Sequence, residues 1–154
     1  MNDHNNITYF ISSVNRISGD AWNCEIELGP VGENFDNFYC KCIGFNMNAN
    51  TLQAGHPINY ILVAENLSEN GYKTYQAGTN NLENNEMPIA WLNTDNANSI
   101  MQSGEGSQFV IKNLRQKRRI RFTFRDENLT IEDGTYFNGS HITEWSCILL
   151  LHPF

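Results

Sequence analysis

The chain has 154 residues and a formal net charge of −7, with 40% hydrophobic, 12% aromatic and 18% charged residues. This length suits one domain, predicted to span residues 1–154, and the hydrophobic content excludes a disordered chain. No apolar run approaches the roughly 18 residues that a membrane helix needs, so we expect no membrane span.

The N-terminus, from Met1 to Asn6, is polar and lacks the apolar stretch of a secretory signal peptide. We therefore expect synthesis in the cytoplasm, where thiols stay reduced. Each of the four cysteines is expected to pack as a small buried hydrophobe: Cys24, Cys40, Cys42 and Cys147.

Short runs of aromatic and β-branched residues, separated by Gly, Asn, Asp and Ser, predict strands along the whole chain, while helical periodicity is nearly absent. In the first half the predicted strands are Thr8–Ile11, Trp22–Leu28, Phe38–Met47 and Tyr60–Ala64, with a turn at Ser18–Asp20. Strict alternation in the third strand predicts one face made of Tyr39, Lys41, Ile43, Phe45 and Met47, opposite Cys40, Cys42 and Gly44.

In the second half, Asn70-Gly71 predicts a turn followed by a strand at Tyr72–Tyr75. Two polar loops are predicted at Gln76–Glu86 and Asn93–Gly106, the second with a helical turn at Asn96–Met101. The remaining predicted strands are Ile89–Leu92, Phe109–Ile111, Arg119–Arg125, Leu129–Ile131 and Trp145–Leu151. Strands without intervening helices predict an all-β antiparallel fold, either a sandwich, a jelly roll or a barrel.

The sequence contains no recognisable catalytic motif. Gly104-Glu105-Gly106 lacks the spacing and the following lysine of a phosphate loop, and no Gly-x-Ser-x-Gly motif occurs. Cys40 and Cys42 have no second pair of metal-ligand spacing. The histidines are scattered, at His4, His56, His141 and His152. We therefore predict no catalytic residue, no metal site and no cofactor.

The most distinctive feature is a basic segment, residues 112–125, which contains no Asp or Glu. It holds seven of the ten basic residues: Lys112, Arg115, Lys117, Arg118, Arg119, Arg121 and Arg125. Three interpretations remain open: binding to nucleic-acid phosphates, binding to an acidic protein surface such as a second copy of this chain, or a solvated face that protects a sheet edge. The acidic remainder of the chain would repel phosphates, which disfavours nucleic acid.

Two segments carry a family resemblance. The first runs from Tyr9 to Leu28 and reads YFISSVNRISGDAWNCEIEL, an initial strand, a polar turn with Arg and Ser-Gly, and an alternating strand. The second is the aromatic and arginine strand Arg119–Asp126 followed by the Trp-led strand Glu144–Leu151. Together they resemble the first and last strands of single jelly-roll minor capsid or penton proteins of large icosahedral double-stranded DNA viruses.

The resemblance implies a single jelly roll and a structural role in a virion, as a minor capsid or vertex subunit made in the host cytoplasm. It carries over no catalytic residue. The implied partners are other capsid proteins and copies of the chain itself, with a pentamer as one form. The basic segment would then be an assembly contact, because an acidic body with one basic region suits head-to-tail packing.

The alternative is a carbohydrate-binding or receptor-attachment β-sandwich. Three tryptophans and six tyrosines could supply stacking platforms for sugar rings. Trp22 and Trp145 fall on predicted core strands, which leaves Trp91 as the candidate exposed aromatic. A third possibility, an enzyme built on a jelly-roll scaffold, would be expected to carry a histidine cluster on its strands.

Overall fold

The computed structural model describes residues 6–32, 34–47, 52–68, 80–83, 85–94, 100–102, 108–137 and 143–154. Short 3-10 turns occur at Ser13–Asn15 and Leu114–Gln116. The strands in the described part of the chain are β1 (Ile7–Ser12), β2 (Ser18–Asp20), β3 (Asn23–Glu27), β4 (Phe38–Met47), β5 (Asn59–Glu65), β6 (Glu86–Asn93), β7 (Ile100–Gln102), β8 (Gln108–Ile111), β9 (Arg119–Arg125) and β10 (Trp145–Pro153).

The strands form two sheets, and every pairing is antiparallel. One sheet has the order β1-β10-β4-β8, and the other has the order β2-β3-β9-β5-β6-β7. Strands far apart in sequence pair with each other: β1 with β10, β3 with β9, and β4 with β8. The two sheets pack face to face, which confirms the predicted all-β antiparallel sandwich.

The alternation of side chains builds the core from both sheets. In β9, Ile120, Phe122 and Phe124 are buried, as their spacing predicts. In β10, the buried positions are Trp145, Cys147, Leu149 and Leu151, with half-buried residues between them. Both strands therefore turn one apolar face toward the other sheet, which is the pattern of a sandwich core.

Aromatic rings fill the space where the sheets meet. The Phe124 ring from β9 lies 5.9 Å from the Trp145 ring and 6.0 Å from the Phe45 ring, both of which come from the opposite sheet. Tyr60 and Phe137 pack on the same ring, at 6.2 and 5.1 Å. Most of these pairs meet edge to face, the arrangement that aromatic quadrupoles favour.

A β-bulge in β4 corrects the predicted face of that strand. Cys42 pairs with Leu149 and Gly44 pairs with Ile148, so Ile43 has no residue opposite it in β10. The extra residue reverses the alternation beyond it. Tyr39, Lys41 and Ile43 point outward as one set, whereas Phe45 packs against the core and Met47 is buried. The prediction that all five share one face was therefore wrong.

Four further predictions fall wholly or partly outside the described residues. The turn at Asn70-Gly71 and the strand at Tyr72–Tyr75 lie wholly outside them. Of the predicted helical turn at Asn96–Met101, the described end belongs to strand β7, so the helical prediction was wrong there. Part of the Gln76–Glu86 loop is described, and its Leu82 is fully buried rather than exposed. In the described part of the chain, no helix is long and apolar enough to cross a membrane.

The packing around Phe124 predicts a large loss of stability when the ring is removed. Phe124 is fully buried, so Phe124→Ala should lower the free energy of unfolding by about 3–5 kcal/mol through lost burial and a cavity. Phe10→Ala is the matched control, because its ring is 61% exposed, and should change stability by no more than about 0.5 kcal/mol. Urea unfolding would measure both, and similar midpoints would contradict this account of the core.

Candidate functional site

The sandwich has two chemically different ends, and β9 runs from one to the other. β9 begins at Arg119, directly after the loop Lys112–Arg118, which we call the basic loop. It ends at Arg125, directly before Asp126 and Glu127. The neighbouring strands run antiparallel to it, with Glu27 opposite Arg119 and Ile61 opposite Arg125. The basic loop therefore lies at one end of β9, and Asp126 and Glu127 lie at the other.

The basic loop is held in place through its backbone. Leu114 is buried, and its N–H donates to the carbonyl oxygen of Asp36 at 3.0 Å. The N–H of Arg115 donates to Oδ1 of Asp36 at 2.7 Å. The carbonyl oxygen of Arg118 accepts from the N–H of Leu28 at 3.1 Å. These contacts fix the loop while the side chains of Lys112, Arg115 and Arg118 remain exposed.

Three other members of the basic segment are engaged with neighbours. Lys117 donates from Nζ to the carbonyl oxygen of Asn66 at 3.1 Å. Arg119 lies 3.9 Å from a carboxylate oxygen of Glu25, and both side chains are well exposed, so this pair contributes little. Arg121 donates from Nε to Oδ1 of Asn23 at 2.8 Å and lies 3.7 Å from Glu65. Their charges are partly satisfied within the chain.

Arg125 does not belong to an exposed basic surface. Its side chain is 8% exposed and forms an ion pair with Glu86, with Glu65 at 3.7 Å. Its Nε donates to Oγ1 of Thr123 at 3.2 Å. The segment after β9 folds back over the outer face of the sheet, where Leu129 joins a small apolar cluster with Val63 and Leu82. Arg125, expected as an assembly contact, is therefore a structural residue.

The acidic end contains a polar cleft of about 420 Å³ at the β2–β3–β9 side of the larger sheet. Burial raises the pKa of Glu132, although the N–H of Tyr136 donates to this carboxylate and opposes the rise. Hydrogen bonds from Thr135 lower the pKa of Asp133. The lining residues are Ser18, Gly19, Asp20, Trp22, Asn23, Cys24, Glu25, Arg121, Glu132 and Asp133. Carboxylates outnumber the single arginine here, so the cleft repels anions.

A second, smaller cleft lies on the outer face of the same sheet, near its acidic end. It is about 210 Å³ in volume and is lined by Asn59, Tyr60, Ile61, Trp91, Asp126 and Glu127. We call it the Trp91 cleft. Trp91 lies opposite Ile61 in the β5–β6 pairing, and its side chain is 58% exposed. The amide of Asn59 donates to Oε1 of Glu127 at 2.8 Å, which fixes one wall.

Sequence reasoning identified Trp91 but missed its acidic neighbours. Asp126 and Glu127 follow β9, whereas Trp91 lies in β6, and β5 separates the two strands in the sheet. Only the strand order brings them together. The acidic turn after the basic strand was visible in the sequence, but nothing in the sequence connects it with residue 91.

The cysteines and described histidines have ordinary packing environments. All four thiols are buried, and burial raises the pKa of Cys24 and Cys40 to about 12. Nδ1 of His56 lies 2.9 Å from the carbonyl oxygen of Pro57, and Nδ1 of His152 lies 2.7 Å from Oδ1 of Asn6. His4 and His141 lie outside the described residues. Among the residues that the structure describes, no group of three His, Cys, Asp or Glu could hold a metal ion.

The outer face of the smaller sheet is unexpectedly apolar. Phe10 and Ile43 are exposed on β1 and β4, and the exposed ring of Tyr39 stacks on Phe154 with ring centres 4.3 Å apart. Alternation in β1 and β4 did not indicate this, because single exposed apolar residues are common on protein surfaces. The face forms only when the strands lie side by side.

The burial of Arg125 predicts a structural role that its exposed neighbours do not share. Arg125→Met should lower the free energy of unfolding by about 3–5 kcal/mol, because Glu86 and Glu65 would lose their buried counter-charge. Arg118→Met removes the same charge from an exposed position and should change stability by no more than about 0.5 kcal/mol. Equal unfolding midpoints in urea for the two variants would rule out this distinction.

Comparison with known proteins gives no relative. The chain matches no family model, no curated protein and no solved structure at a significant level.

Proposed function

We propose that this chain is a non-catalytic structural subunit, a single jelly roll that assembles with copies of itself and with other proteins in an icosahedral virion, as a minor capsid or penton protein. The observation that carries the proposal is the separation of charge along β9. An exposed, rigidly held basic loop lies at one end of the sandwich, and clustered carboxylates lie at the other.

The strand pairing supports the jelly-roll part of the proposal. Leaving aside the short edge strands β2 and β7, the remaining eight strands pair first with last, second with second-last, and so on inward: β1 with β10, β3 with β9, β4 with β8 and β5 with β6. An eight-stranded antiparallel ribbon that folds into two four-stranded sheets has this pairing, which corresponds to two Greek keys. The segments that resemble capsid proteins are therefore neighbours, because β1 lies beside β10 and β3 beside β9.

The charge distribution supports the assembly part. Opposite charges on opposite ends of one subunit favour a heterologous contact, in which one patch meets a different patch on the next copy. Such a contact closes into a ring when the rotation between copies allows it, and a ring is the form of a vertex subunit. Complementary surfaces of this kind mainly accelerate association and fix the orientation of the partners.

A charge reversal in the basic loop tests the proposal. Light scattering on the purified protein should show a mass above that of one chain at low salt, decreasing at high salt because salt screens exposed charges. Arg118→Glu should reduce the assembled fraction at low salt. Lys41→Glu, which makes the same charge change at an exposed site on the other sheet, should not. An assembly unaffected by Arg118→Glu and by salt would contradict the charge-based contact.

A second candidate function, sugar binding, is favoured by the exposure of Trp91 in a cleft with carboxylates and an amide. An indole face can stack on a sugar ring while polar groups bind its hydroxyls. If this were the function, a glycan array would give specific hits that Trp91→Ala abolishes and Phe10→Ala, another exposed aromatic, leaves unchanged. An array without specific hits would eliminate this candidate.

A further inference from the structure

The Trp91 cleft has the chemistry of a site for a cation. The face of an exposed indole attracts a guanidinium or ammonium group, and Asp126 and Glu127 add negative charge beside it. Among the described residues that line the cleft there is no lysine or arginine. Arginine fits such a site better than lysine, because its planar guanidinium stacks on an aromatic ring and donates to a carboxylate through two parallel N–H groups.

The two carboxylates are held in position before any ligand arrives. Oδ1 of Asp126 accepts from the N–H groups of Asn128 and Thr130, at 2.8 and 3.1 Å. Oε1 of Glu127 accepts from the Asn59 amide. An ionised carboxylate has about four acceptor positions on its two oxygens, so these contacts leave capacity for an incoming guanidinium. A wall fixed in this way loses little side-chain entropy when the cleft is filled.

The chain itself carries exposed arginines that could fill such a cleft, but they cannot reach the cleft of the same molecule. Arg115 and Arg118 are exposed on the basic loop, before β9 begins, whereas Asp126 and Glu127 follow its end. The seven residues of β9 separate the two sites by roughly 20 Å at about 3.3 Å per residue. Because a strand inside a sheet cannot fold back, the loop can only reach the cleft of another molecule.

We infer that the Trp91 cleft of one copy receives an arginine of the basic loop, Arg115 or Arg118, from the next copy. This inference rests on the proposed assembly function and names its contact: the guanidinium lies on the Trp91 ring and pairs with Asp126 and Glu127. The contact is heterologous, so each subunit uses its loop toward one neighbour and its cleft toward the other.

Mixing two incomplete variants tests the contact directly. The loop variant carries Arg115→Gln and Arg118→Gln, and the cleft variant carries Asp126→Asn and Glu127→Gln. Both cleft substitutions keep the oxygens that accept from Asn128, Thr130 and Asn59, so folding should be preserved, which urea unfolding would verify. Each variant alone should remain monomeric in light scattering at low salt. An equimolar mixture should form a complex of two chains and nothing larger, because one intact loop meets one intact cleft.

The aromatic part has its own test. Trp91→Ala should weaken association of the otherwise unchanged chain about tenfold, and Trp91→Phe should weaken it less, since a ring remains for the guanidinium. Binding of glycans abolished by Trp91→Ala, with association unchanged, would assign the cleft to sugars and overturn the inference.

The remaining outcomes separate this inference from the proposed function. If the wild-type chain assembles but the mixed variants stay monomeric, assembly stands and the Trp91 cleft is not its acceptor. If the mixture builds complexes larger than two chains, a different contact is responsible and the inference is again overturned. If the wild-type chain is monomeric at every salt and protein concentration, self-assembly and this contact both fail.

Discussion

The packing of Phe124 against Trp145 is the central contact of the aromatic cluster that joins the two sheets. Phe124 comes from the middle of the larger sheet and Trp145 from the start of β10 in the smaller one. The indole also satisfies its own polar atom, because Nε1 donates to the carbonyl oxygen of Ala21 at 2.6 Å. The backbone N–H of Trp145 donates to Oγ of Ser13 at 2.8 Å. One residue thus ties the core to the chain segment that leads from β1 to β3.

That tie continues into a polar network at the same end of the sandwich. Ser13 also donates to Glu144, and Arg16 donates to both carboxylate oxygens of Glu144 at 2.8 Å. Arg16 is the arginine in the polar turn that contributed to the family resemblance. Its position explains why the turn needs a cation: it holds the segment after β1 against the start of β10. The turn after β1 and the start of β10 are therefore joined by an ion pair.

The arginines at the two ends of β9 differ in burial, and this difference decides their role. At the end of β9, the segment that folds back through Leu129 encloses Arg125. The buried guanidinium forms ion pairs with Glu86 and Glu65 of the same chain. At the start of β9, the basic loop is held through its backbone and the Lys117 side chain, while Arg115 and Arg118 are exposed to solvent. The same residue type therefore stabilises the fold at one end and is available to another molecule at the other. In the proposed contact, the Trp91 cleft at the acidic end is the complementary surface.

The sequence by itself determined the fold class. The two-residue alternation of apolar side chains is a local property, and it can be recognised without knowing which strands pair. Its alternation placed Ile120, Phe122 and Phe124 on one face of β9, and its composition showed the basic segment. It could not predict the bulge at Ile43, which depends on the register between β4 and β10 and moves Phe45 to the core side. Nor could it divide the seven basic residues into exposed and buried members. Arg125 is buried, and Trp91 lies beside Asp126 and Glu127, because strands that are distant in sequence are neighbours in the sheet. Only the tertiary structure decides such long-range neighbours.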